Sequence, residues 1–97
     1  MANFQLATQL RELQLGIEKD LGINSLNSIQ KNIIYTATIL SRVDGTFETS
    51  DMRQHNLLEG VSHSGFFRSL KSLVDFGYFK HFKDRKRSIY ELSEKFK

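Results

Sequence analysis

The chain has no cysteine and no proline. Without cysteine there are no disulfides, no thiolate metal sites and no thiol redox sensing. Without proline nothing breaks a helix by force. Glycine must then mark the boundaries, and the six glycines fall mostly at plausible ones. No apolar run approaches the length of a membrane span. The first residues lack the basic start and apolar core of a secretory leader. The expectation is a cytoplasmic protein with no membrane segment.

What is present suits one small domain. Ninety-seven residues, 39% of them hydrophobic, have room for a single core. Lys+Arg total 14 and Asp+Glu 11, a mild excess of +3. Its distribution is more informative. Residues 1–49 carry four basic and five acidic side chains, and residues 50–79 carry three of each. Residues 80–97 carry seven basic and three acidic. The whole excess therefore lies in the last segment. Such a local positive field is the footprint expected for polyanion binding, and a solvated tail would carry the same pattern.

The apolar periodicity predicts four helices. Residues 3–21 form the first, with Leu6, Leu10, Leu13 and Ile17 in a 4-3-4 stripe close to a heptad seam. That stripe suits a helix–helix seam between two copies, and equally suits packing on its own domain. The intermolecular use is the expectation. Asn24 to Ser28 offers capping side chains for a second helix over 28–42, which buries Ile29, Ile33, Ile34, Ala37 and Leu40. Asp44-Gly45 is a turn, and Thr46-Phe47-Glu48 a very short strand. Thr49 or Ser50 caps a third helix ending near Leu58, with Met52, Leu57 and Leu58 facing inward. Gly60 supplies a bend. Ser62 or Ser64 caps the fourth helix, over about 62–76. Its core stripe is Phe66, Leu70, Leu73 and Val74, and Gly77 stops it. Two strands, 78–83 and 88–92, flank a basic turn.

This order of elements is that of a helix-turn-helix followed by a charged hairpin. The outer face of the fourth helix carries Ser62, His63, Ser64, Phe67, Arg68, Lys71 and Ser72. Small polar residues near its start let it approach base edges. Arg68 is suited to guanine, worth about 1–3 kcal/mol of discrimination. Ser62, Ser64 and backbone amides suit phosphate oxygens, as does Lys71. The bland alternative is an ordinary solvated helix face, with Phe67 packed on a neighbouring helix. Lys83, Arg85, Lys86 and Arg87 crowd the hairpin tip around Asp84. A phosphate backbone or a narrow minor groove would offset their repulsion. Lysines in such a turn also keep an edge strand from pairing with other chains.

The run from Leu26 to Lys95 resembles a MarR-type winged helix. Leu26-Asn27-Ser28-Ile29-Gln30 is similar to that family's opening of the helix before the DNA-binding motif. Val61 to Phe66, followed by Arg68, Leu70, Leu73 and Gly77, resembles its recognition helix. Asp84-Arg85-Lys86-Arg87 is similar to its acidic-arginine wing, and Tyr90 to Lys95 to the strand end and the helix start after it. The resemblance implies a dimeric transcription regulator on pseudo-palindromic double-stranded DNA. Members usually continue into C-terminal helices that build the dimer and often a ligand pocket. This chain stops at Lys97, so the expectation is that dimerisation moves to residues 1–22 or that the protein is monomeric, and a small-molecule effector is put in doubt.

The expected fold class is α+β, a single winged helix-turn-helix domain over 1–97 with an extra N-terminal helix. The expected function is sequence-specific binding of double-stranded DNA as a homodimer. The alternative is a winged-helix module that binds another protein through the wing or first helix. No enzyme, metal or cofactor is expected. His55, His63 and His81 lack metal-ligand spacing, and adjacent Ser62-His63 has the wrong geometry for a nucleophile and its base.

Overall fold

The computed structural model describes residues 3–81 and 89–96. The predicted basic turn, with Lys83, Asp84, Arg85, Lys86 and Arg87, lies outside the described residues.

Helix α1 spans Phe4–Leu21. The Asn3 side chain accepts from the Leu6 amide at 3.1 Å and caps its start. Gly22, at φ 76°, ends it in the left-handed conformation, with its N–H turned back to the carbonyls of Glu18 and Lys19. Helix α2 spans Ser28–Leu40. Of the capping candidates from Asn24 to Ser28, Asn27 takes the position because Gln30 stands three residues on. The Gln30 amide donates to Asn27 Oδ1 at 2.8 Å, and the Asn27 amide to Gln30 Oε1 at 3.0 Å. Asp44 shapes the next turn by accepting from both the amide and the hydroxyl of Thr46. Strand β1 follows at Thr46–Glu48.

Helix α3 is shorter than the expected run to Leu58. It covers Thr49–Arg53 and gives way to a 3-10 turn at Asn56–Leu58. The cause is His55, whose Nδ1 accepts the Leu57 amide at 3.1 Å and so caps a new turn. Met52 and Leu58 are buried as expected, but the re-aimed Leu57 is exposed. After Gly60, helix α4 spans His63–Asp75 and is capped by Ser62, not Ser64. Phe66, Leu70 and Leu73 are buried. Strands β2 (Phe79–His81) and β3 (Ile89–Leu92) pair antiparallel, and β1 adds to the other side of β3 in the order β1-β3-β2. The register sets Phe47 against Tyr90 and Phe79 against Leu92. One further element lies in the expected tail. A 3-10 turn at Glu94–Phe96 brings the Phe96 ring to 5.5 Å from Tyr78.

The architecture is a small α+β fold of four helices and a three-stranded antiparallel sheet among the described residues. Its core joins Ile33, Ile34 and Ala37 of α2 to the α4 stripe and to Phe47, Phe79 and Leu92 of the sheet. Helix α1 adds only Leu21, packed at its edge. Leu6, Leu10, Leu13 and Ile17 are between 47% and 61% exposed. Their stripe therefore does not pack on its own domain.

Candidate nucleic-acid interface

The first turn of α4 depends on a close approach. Ser62 Oγ accepts the Gly65 amide at 3.0 Å. A Cβ on residue 65 would stand 2.9 Å from that same oxygen. Gly65 costs about 1 kcal/mol of helix propensity. The cap it admits contributes a similar amount.

Beyond the cap, the helix presents His63, Ser64, Phe67, Arg68 and Lys71 to solvent. These five residues are thus brought to one face. Arg68 has no ion pair among the described residues. Lys71 lies 3.5 Å from Asp75 on the next turn, a fully solvated pair of little strength. Ser72 is half-buried and donates its hydroxyl to the Arg68 carbonyl at 3.2 Å, so its proton is already used.

Phe67 is only 36% exposed and sits in an aromatic cluster. Its ring centroid is 4.7 Å from that of His63 and meets Phe66 edge-on at 4.9 Å. The Arg53 guanidinium lies 5.6 Å from the Phe66 centroid and 6.0 Å from that of Phe67. A groove of about 360 Å³ runs between α4 and strands β2 and β3, lined by Phe67, Lys71, His81 and Tyr90 among others. The Tyr90 and His81 rings in its lining make a tilted contact, 4.4 Å between centroids. Burial pushes the Tyr90 phenol above its ordinary pKa.

A second polar cluster lies where α1 meets α2. Glu18 is fully buried, the one buried residue of α1. The Tyr35 hydroxyl donates to its Oε2, and Lys31 Nζ stands 3.1 Å from Oε1. That oxygen has close charge but no well-aligned hydrogen bond. Burial alone would raise the Glu18 pKa, but the Tyr35 hydrogen bond, the close Lys31 ammonium and the charge of Arg11 together outweigh it. The carboxyl is held below its ordinary range. The Tyr35 phenol is pushed up by burial and by its bond to Glu18.

Neither Arg53 nor Glu18 was singled out from sequence. Arg53 reaches α4 only through the fold, and Glu18 reads as one more polar residue on an amphipathic helix. Among the described residues no group of three or more histidine or carboxylate side chains gathers as metal ligands, and no helix is long and apolar enough to cross a membrane. No protein-family model, curated protein or solved structure matches this chain.

Proposed function

We propose that this chain is a sequence-specific regulator of transcription that binds double-stranded DNA as a winged helix of the MarR-like kind. Helix α4 would enter the major groove, with Arg68, His63, Ser62 and Ser64 nearest the bases. The observation that carries the reading is the exposed face of α4. It presents His63, Arg68 and Lys71 with no carboxylate in its first three turns, and the Arg68 guanidinium is free of ion pairs among the described residues. An unpaired, solvated arginine on a helix fronted by small residues suits a base edge. The basic run with Lys83, Arg85, Lys86 and Arg87 in the sequence adds charge for phosphates or a minor groove.

The same proposal includes a homodimer through α1. Leu6, Leu10, Leu13 and Ile17 form a stripe at heptad spacing that its own domain leaves exposed. Gly16 has open space around it and a helical backbone, so no crowding in this chain requires glycine there. That exposed stripe also supports a second reading, a module that docks another protein and does not read DNA.

Selection from random duplex DNA tests the main reading. The expected outcome is an enriched two-fold-symmetric motif, with affinity falling steeply as salt rises, roughly one unit of log–log slope per neutralised phosphate. Absence of any duplex shift at low salt would refute DNA binding and leave the protein-docking module.

A further inference from the structure

We infer that Arg53 is a phosphate clamp beside α4, a DNA contact contributed by α3. The inference rests on the DNA-binding reading above and adds a residue and a role to it. Arg53 is the last residue of α3, half-buried, and packed over the rings of Phe66 and Phe67. No carboxylate pairs with it among the described residues. The cation–π attraction contributes to holding it there and leaves its N–H donors unmatched.

The location selects the ligand. The Phe67 ring lies near the Arg53 guanidinium and also makes a tilted contact with His63 of the first α4 turn, 4.7 Å between centroids. Arg53 is therefore joined through one ring to the face proposed to meet DNA. It lies on the element before α4, not on α4 itself, and its reach is shortened by the ring contact. That placement suits a phosphodiester flanking the major groove better than a base edge within it. Planar guanidinium matches phosphate oxygens in a two-pronged fashion, which a lysine ammonium cannot reproduce. Phe66, one of the two rings under the clamp, is buried in the core.

The test compares native protein, Arg53→Gln and Arg53→Lys on one duplex over a salt series. Thermal melting of each variant checks folding. Arg53→Gln is expected to weaken binding on the order of tenfold at low salt and to reduce the log–log slope by about 0.9, the share of one phosphate. Arg53→Lys is expected to keep the slope while losing part of the affinity. The motif selected from random duplexes should be the same for all three proteins. Native affinity and slope in a folded Arg53→Gln variant would overturn the clamp. A motif changed at one position would overturn it in favour of base reading. A merely structural role would move melting and leave the slope alone. If native protein shifts no duplex, the DNA-binding reading itself fails, and the clamp with it.

Discussion

Replacing Glu18 should loosen the attachment of α1 to α2. The side chain is 1% exposed, and Lys31 beside it is 17% exposed. Deep ion pairs cost about 3–5 kcal/mol when one partner is removed. Here the cost is smaller, because Lys31 can turn to water and glutamine still offers an oxygen to Tyr35. We expect Glu18→Gln to destabilise by about 1–2 kcal/mol. Tyr35→Phe leaves a buried carboxylate oxygen without its donor and should cost more, about 1.5–3 kcal/mol. For a chain of this length each kcal/mol moves Tm by roughly 4–8 °C. The effect also has a pH signature. The folded pKa of Glu18 lies below the ordinary 4.5, so its ionised form favours the folded state. Its contribution is complete above that ordinary value and is lost as pH falls through the folded value. Thermal melts of native and Glu18→Gln between neutral and strongly acidic pH read both quantities. The gap between the two proteins should be widest near neutrality and close in acid. A variant melting within about 1 °C of native at neutral pH, with the native acid dependence intact, would refute the account of this cluster.

Other expectations follow from single contacts. Ser62→Ala should cost about 1 kcal/mol through loss of the α4 cap. Gly65→Ala should leave native protein nearly unchanged, the gain in helix propensity offset by crowding of Ser62 Oγ, yet stabilise a Ser62→Ala background by up to about 1 kcal/mol; equal effects in both backgrounds, by chemical denaturation, would sink the close-approach argument. Leu10→Asp with Leu13→Asp should give monomers by light scattering that stay folded by circular dichroism, because both side chains are exposed in the monomer, and a folded variant that stays dimeric rules out the α1 seam. Arg68→Ala should relax base preference at one position per half-site, a loss of about 1–3 kcal/mol, and an unaltered selected motif would remove Arg68 from base reading.

Much of the architecture was legible because local chemistry and packing agree. The helices over Phe4–Leu21, Ser28–Leu40 and His63–Asp75 follow apolar periodicity bounded by a cap or glycine. The α3 segment was misread because its apolar pattern continues to Leu58 while His55 withdraws the helix with a side-chain bond. Such local competition is invisible to periodicity. The 3-10 turn at Glu94–Phe96 falls where the resemblance implies a helix start, but no apolar period marks it. It is held by the Ser93 amide on the Tyr78 carbonyl at 2.9 Å and by the Tyr78 ring, both distant in sequence.

The candidate interface divides along the same line. His63, Ser64, Phe67, Arg68 and Lys71 share a face because a helix repeats every 3.6 residues, and the sequence alone determines that. It also determines the charge excess beyond residue 80 and the heptad-like stripe of α1. Tertiary structure alone decided that this stripe is left uncovered. It alone placed Arg53 on the rings of Phe66 and Phe67 and sealed Glu18 against Tyr35 and Lys31. Spacing within one helix is set by covalent geometry, whereas contact between elements depends on how the chain returns through space, and no local pattern encodes that return.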